Sequence, residues 1–448
     1  MEERIGYKLL KGYVRLLFKH VYFSKVENIG QKNIPDQHPL MIVSNHQNGI
    51  FDPLALLMAV RNRKTRKIRC VARADVSNMP GLKIITRWIG LLPAYRLLYE
   101  GMTSLAGNSS TFEEIENELL KDGTIILFPE AGHQDKRCLG HFSLAYLRML
   151  FGAAEKRGFK KEMYVLPACN HYSDYFGIRR QMLVRFGTPI ALSPYYELYQ
   201  SKPWTAQRQI NKLVRQQIDN MMLNITDTSH YTMIDYIRNT YGTGYAKARR
   251  YRPDCLPDQL TADKLLTAQL ATAAETRPDA VKAIYEKAGL MENQYRQLRI
   301  RNDDGHDTAG KRFVTVAILA ILFPFYAISL LINILIFSVP TFVHWKIKDR
   351  MLHGTVDFVI SALITLPLTC LSVFCIIYAI TGYWIVALCC LPCIPLTSIF
   401  AVAYYRAGQR LIRQWRFRYL LKRGELHEAL SLKRQLFEDL DKLLNMKI

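Results

Sequence analysis

Ser44-Asn45-His46-Gln47-Asn48-Gly49-Ile50-Phe51-Asp52-Pro53 is the stretch whose reading decides the fold. It begins where the apolar run Leu40-Met41-Ile42-Val43 stops. Its end has the form of a helix start, with Asp52 as N-cap and Pro53 at the first helical position. Asn48-Gly49 is turn chemistry, so strand, turn and helix are expected in that order. His46 and Asp52 are too far apart in sequence to share a face of one regular helix, and they meet only if the chain turns between them. A histidine whose far ring nitrogen is held by a carboxylate is fixed in one tautomer and made more basic, which suits it to taking a proton from an alcohol. That alcohol can belong to a substrate, so no serine or cysteine nucleophile is required. An isolated His…Asp pair is more often a capped turn, and the rest of the chain has to decide between the two.

The chain has 448 residues, enough for two or three domains, and 50% of them are hydrophobic, high for a soluble protein. Lys+Arg 60 against Asp+Glu 38 gives +22, which calls for an anionic partner: nucleic acid, an anionic membrane surface or a phosphorylated substrate. No nucleic-acid recognition motif accompanies the basic residues, whereas long apolar runs do, so membrane lipid is the expected partner and nucleic acid is not. The opening Met1-Glu2-Glu3-Arg4 leads into no long apolar core, so no signal peptide is expected and the catalytic part should face the cytoplasm. Cys389, Cys390 and Cys393 lack a neighbouring His or carboxylate and read as buried thiols rather than metal ligands. With no dinucleotide loop either, no bound metal or cofactor is expected.

Working outward, Tyr7 to Phe23 interleaves Leu9, Leu10, Val14, Leu16, Leu17 and Val21 with Lys8, Lys11, Arg15 and Lys19, the pattern of a basic amphipathic helix able to lie on a bilayer or pack as a surface helix. Arg61, Arg63, Lys64, Arg66, Lys67, Arg69 and Arg73 crowd around a short strand, Ile68-Val71, and form either a solvated face or a surface for phosphate groups. Pro80 starts a helix that Gly90 ends, and Leu91 to Arg96 is extended. Thr111-Phe112-Glu113-Glu114 reads as a capping box. Thr124 to Phe128 is a buried strand that delivers Pro129-Glu130-Ala131-Gly132-His133. A helix over Phe142–Ala154 and strands at Tyr164–Leu166 and Met182–Phe186 complete an α/β layered sheet with flanking helices over residues 1–200.

Residues 201–311 read as a polar helical connector. Three apolar runs follow in 312–405, at Phe313–Val343, Phe358–Ile380 and Tyr383–Tyr405, each long enough for a hydrocarbon core of roughly 20 residues. The first carries Pro324 and Asn333. Basic flanks at Lys311-Arg312, at Lys346, Lys348 and Arg350, and from Arg406 to Arg418 all stay on one face if the first run is a re-entrant hairpin and the other two cross. Three full crossings are the alternative. Residues 406–448 read as a basic amphipathic tail.

Four short blocks, taken in order, resemble those of the glycerolipid acyltransferases, the group that contains lysophosphatidic acid and glycerol-3-phosphate acyltransferases, in its longer form with a C-terminal membrane portion. The first block, Asn45-His46…Asp52-Pro53, has five residues between His and Asp where the family pattern has four, and Gly49 can absorb the extra one. The resemblance implies that His46 is the general base and Asp52 its orienting partner, with direct attack on the thioester of acyl-CoA or acyl-carrier protein as co-substrate. In the second block, Gly90 to Arg96, it implies that Arg96 pairs with the acceptor phosphate. The third, Phe128-Pro129-Glu130-Ala131-Gly132-His133, shifts the glycine by one and lacks the family's arginine, leaving Lys136 or Arg137 to supply the charge; Glu130 then works on acceptor hydroxyls or holds the loop. The fourth, Leu166-Pro167-Ala168, places Pro167 at the acyl-donor site. The expected reaction is acylation of 1-acylglycerol-3-phosphate to phosphatidic acid. Glycerol-3-phosphate or a lyso-aminolipid are alternative acceptors, and a non-catalytic lipid-binding membrane protein on the same scaffold is the reading of another class.

Overall fold

The computed structural model describes residues 5–60, 68–73, 91–94, 102–130, 136–305, 307–347 and 349–445. They form two units. The first runs to Asn224 and includes Asp349–Thr355, and the second comprises Ile225–Lys348 and the chain from Val356 onward.

The first unit is built on a mixed sheet whose described strands are β1 (Phe23–Ile29), β2 (Leu40–Ser44), β3 (Ile68–Arg73), β4 (Leu91–Ala94), β5 (Thr124–Leu127), β6 (Tyr164–Tyr172), β7 (Arg180–Phe186) and β8 (Ile190–Ala191). Their order is β1-β7-β6-β2-β5-β3-β4, with β8 paired to β6. An apolar run with no polar alternation has to be covered on both faces, which is the position of a central parallel strand. β2 is that strand, buried throughout and parallel to both β5 and β6. Met41 and Val43 face a core with Ile125, Val165 and residues of three helices: Ile115 and Leu119 of Met102–Leu120, Leu147 and Phe151 of Ala145–Lys156, and Ile210 and Val214 of Pro203–Met221. The α/β layers expected from the sequence are therefore present. Helix Pro203–Met221, at the start of the expected connector, packs into this same core.

The register decides where a site can form. Val43 lies opposite Leu127 on one side and Pro167 on the other, all three strands running the same way. The chain leaves β2 and β5 at the same sheet edge, which is where parallel α/β sheets bind ligands.

Three local readings need correction. Helix α2 (Phe51–Ala59) starts one residue before Asp52, so Asp52 lies in its first turn and does not cap it. Thr111 is buried in the middle of helix Met102–Leu120 rather than at its start; burial of the Ile115 and Leu119 stripe, not a capping box, holds that helix. β6 continues six residues beyond Leu166, because Asn170 and His171 are buried polar residues that hid the strand. The expected amphipathic helix divides into α1 (Ile5–Leu16) and a π-helical turn, Leu17–Tyr22, whose Leu17, Phe18 and Tyr22 are buried. In the basic run, Arg69 pairs with Glu118 at 3.5 Å, while residues 61–67 and the expected 80–90 helix lie outside the described residues.

The second unit is helical. Tyr231–Ala248, Leu256–Thr276 and Pro278–Leu298 pack together, and helix His427–Leu443 packs on the last of them. Burial opposes the charge of Arg238, but Asp235 at 2.8 Å and Asp263 at 3.0 Å more than offset it and raise its affinity for the proton. Three helical stretches, Ala309–Ile332, Arg350–Thr381 and Trp384–Lys422, are long and apolar enough to cross a membrane. Phe313, Ile321, Leu331, Ile380 and Trp384 are exposed along them, a surface suited to lipid rather than water. The first apolar run breaks at Asn333, between Ala309–Ile332 and Ile334–His344. Asn333 is buried: its Nδ2 donates to Ser329 O at 2.8 Å and to Thr397 Oγ1 at 2.9 Å, and its Oδ1 accepts from Ser398. Asn333→Leu removes this polar tie between the first and third apolar stretches and should lower stability by about 1 kcal/mol, read from denaturant unfolding in detergent micelles. No change would mean that apolar packing alone holds the pair.

Candidate active site

The stretch from Ser44 to Pro53 leaves β2 at the sheet edge and folds back on itself. Gly49 adopts φ +43°, and its Cα is closely covered: a Cβ there would lie 2.4 Å from Thr355 Oγ1. The same hydroxyl accepts from Ile50 N–H at 3.2 Å. The turn brings His46 Nδ1 to 2.9 Å from Asp52 Oδ2. A carboxylate only accepts, so the ring proton belongs on Nδ1 and Nε2 carries the lone pair. The imidazole side chain is 20% exposed and its partner carboxylate 0%.

A buried carboxylate needs donors, and Asp52 has them. Oδ2 also accepts from Gln47 N–H at 2.8 Å and Asn48 N–H at 2.7 Å, and Oδ1 accepts from the Tyr172 hydroxyl at 2.5 Å. The turn is tied to β6 and the residues after it by Asn45, whose side chain exchanges hydrogen bonds with the Asn170 backbone at 3.0 and 2.8 Å. Gln47 Oε1 accepts from Tyr175 OH at 2.7 Å, and Asn48 Nδ2 donates to Tyr175 O at 3.2 Å.

The loop after β5 covers the ring from the other side. Phe128 stacks on His46 with centroids 4.5 Å apart and planes 27° apart. Glu130 Oε1 accepts from His46 N–H at 3.0 Å and Oε2 from Gly140 N–H at 2.7 Å. Burial pushes its carboxyl above the usual range against the opposing pull of those two backbone donors. Of the two roles open to Glu130, this geometry supplies the loop-holding one, since each oxygen already receives a backbone N–H.

The two cations expected to serve phosphate are placed differently. Lys136 is exposed, and its carbonyl accepts from Gln47 Nε2 at 3.4 Å. Arg137 is buried: Nη1 and Nη2 both donate to Tyr172 O at 3.3 Å, and its guanidinium lies 4.9 Å from the Tyr175 ring centroid. In this arrangement Arg137 supports the strand that carries Tyr172. Pro167 is buried in β6 where the neighbouring strand changes from β8 to β7, a place where a missing N–H is tolerated, and its carbonyl accepts from Gly187 N–H at 2.8 Å. Arg96 and Gly132 lie outside the described residues. Tyr172 and Tyr175 were not identified from the sequence, because no local pattern marks the continuation of β6; only their hydrogen bonds to Asp52 and Gln47 show what they face. Among the described residues, no group of His, Cys, Asp and Glu side chains could hold a metal ion.

A proton-accepting imidazole oriented by a buried carboxylate, at the C-terminal edge of a mixed α/β sheet, is an arrangement for activating a hydroxyl. Residues 25–170, which contain His46, Asp52, Glu130 and Pro167, match the family model described as Acyltransferase. Over 256 residues the chain is 25% identical to Glycerol-3-phosphate O-acyltransferase 2 of Saccharomyces cerevisiae, a match covering 54% of this chain and 32% of that protein, so the chain spans well under half the length of that curated relative. It is also similar to the 1-acyl-sn-glycerophosphate (LPA) acyltransferase PlsC from Thermotoga maritima, with 17% identity and a TM-score of 0.35 over 48% of this chain and 79% of that one.

Gly49→Ala should cost about 1–2 kcal/mol, from positive φ and from the clash with Thr355. The double variant with Thr355→Ala should recover only part of that loss, since the backbone strain stays. Unfolding midpoints of the single and double variants check this, and full recovery would assign the whole cost to the clash.

Proposed function

We propose that this protein transfers a fatty acyl group from a thioester carrier, acyl-CoA or acyl-carrier protein, to a free hydroxyl of a glycerol phosphate. The observation that carries the reading is the His46–Asp52 pair, 2.9 Å apart, on a turn that a central strand delivers to the sheet edge. His46 Nε2 takes the proton of the acceptor hydroxyl as its oxygen attacks the thioester carbonyl. The C–O bond forms, the C–S bond breaks, and the imidazolium returns the proton to the departing thiolate. No acyl-enzyme is needed, because the nucleophile is the acceptor itself.

The family match supports the reaction class, and the yeast relative's printed name favours glycerol-3-phosphate among the acceptors. 1-Acylglycerol-3-phosphate, the acceptor expected from the motifs, presents the same phosphate beside a hydroxyl and is the second reading. Arg96 and Lys136, the latter exposed, are the proposed phosphate ligands. Three apolar helical stretches long enough to cross a bilayer support membrane association, and their basic flanks favour the cytoplasmic face for the catalytic unit.

The test is thiol release from palmitoyl-CoA by membranes containing the protein, with glycerol-3-phosphate, 1-acylglycerol-3-phosphate or no acceptor. Wild type should release thiol only when an acceptor is present, and the better acceptor names the substrate. His46→Ala should lower the rate by roughly 10²–10⁴-fold, the range for loss of a general base. Arg96→Ala should raise KM for the phosphorylated acceptor more than it lowers kcat. Acceptor-independent or absent thiol release, with acyl-carrier protein also tried, would favour a lipid-binding module.

A further inference from the structure

Within the proposed acyl transfer, on which this inference rests, we propose that Tyr172 is a positioning residue for the reaction, acting through Asp52. The argument begins with how the Asp52 oxygens are divided. Oδ2 is engaged by the turn itself, through His46 Nδ1, Gln47 N–H and Asn48 N–H. Oδ1 points the other way, into β6, and its hydrogen bond comes from the Tyr172 hydroxyl at 2.5 Å. The turn can therefore hold the carboxylate by one oxygen, and the phenol holds the other. Loss of the second hold leaves a fully buried carboxylate oxygen without its donor and frees the group to rotate about its terminal bond. The angle at which Oδ2 meets the imidazole then varies, and with it the direction in which Nε2 points.

Tyr172 is built for this task. It is fully buried, and burial together with the Asp52 charge holds its hydroxyl well above the ordinary phenol range, so it remains a donor across the pH range in which an acyltransferase works. Two buried arginines fix it in place. Arg137 donates to its carbonyl through both terminal nitrogens. The Arg180 guanidinium sits among the rings of Tyr22, Phe23, Phe51 and Tyr172, with centroids at 5.6, 5.2, 5.0 and 5.3 Å, and its Nη1 donates to the carbonyls of Asp174 and Tyr175. Among the described residues, Nε and Nη2 of Arg180 are buried with no hydrogen-bond partner, and its charge is held against ring faces. One of those rings, Phe51, directly precedes Asp52. The same cation therefore braces the donor residue and the residue next to the acceptor.

The test uses the full-length protein in native membranes or detergent. Tyr172→Phe deletes one oxygen and keeps the ring in its cage. It should lower kcat about ten- to hundredfold, the effect of losing a hydrogen bond to a charged group, while KM for acyl-CoA and for the acceptor stays within about twofold. Tyr175→Phe removes a hydroxyl bonded to Gln47 instead of Asp52 and should lower kcat less. A kcat within twofold of wild type for Tyr172→Phe, an equal loss in both variants, or a rise in KM that accounts for the whole loss overturns the proposal. A second measurement does not depend on turnover. In protein labelled with ¹⁵N-histidine, the downfield Nδ1 proton of His46, assigned by its absence from His46→Ala, should shift in Tyr172→Phe and keep its place in a variant of the second unit, Asn333→Leu. An unmoved resonance overturns the role of Tyr172. Wild-type protein without acceptor-dependent thiol release, but with the resonance shifting as expected, overturns the acyl-transfer reading instead.

Discussion

A carboxylate with no access to water lies at the sheet edge behind the imidazole, and much of what surrounds the site exists to make that burial tolerable. Asp52 accepts hydrogen bonds from His46, Gln47, Asn48 and Tyr172. An ionised group taken out of water without such donors would be protonated or expelled. Meeting the requirement takes a turn tight enough to aim two successive backbone N–H groups at one oxygen, and Gly49 with its positive φ allows it. It also takes a strand that runs on past the end of β2, and β6, paired there with β7, does so as far as Tyr172. The dyad geometry is thus a property of β2, α2 and β6 together and of no single segment.

Around that carboxylate, polar groups hold backbone. Glu130 bridges the N–H groups of His46 and Gly140, Asn45 bridges β2 to Asn170, and Arg137 anchors Tyr172. Phe128 fixes the ring plane of His46 by stacking on it. A base held on so many sides needs little reorganisation when a substrate hydroxyl arrives, which is how positioned groups act in the proposed chemistry. The partial exposure of the imidazole is the complement: the base is held from within the protein and approached from outside.

The second unit follows the same rule in a different solvent. Its apolar helices leave large side chains uncovered, a surface that lipid rather than water would solvate, while the buried asparagine in the first of them finds partners. Asn333, which breaks the first apolar run, is bonded to Ser329, Thr397 and Ser398. Arg238, away from those helices, is buried only because two aspartates flank it.

Much of this was legible in the residues. The apolar run Leu40–Val43, the Asn48-Gly49 turn and the basic-flanked apolar runs announce the α/β layers, the strand–turn–helix and the membrane-suited helices, because burial period and turn chemistry are local properties. The pairing of His46 with Asp52 was also open to inference, since glycine at the turn lets two residues meet that no helix face could bring together. What stayed hidden depended on partners distant in sequence. Arg137 reads as a candidate phosphate cation until its burial against Tyr172 is seen, Thr111 reads as a cap until its helix is seen to begin at Met102, and Tyr172 carries no signal at all. Sequence alone determined which side chains could do proton chemistry and which segments seek lipid, since these follow from composition within a few residues. Only the tertiary structure decided which tyrosine completes Asp52 and which arginine faces inward, because a hydrogen bond between residues 120 positions apart is set by strand register, and register is a property of the whole sheet.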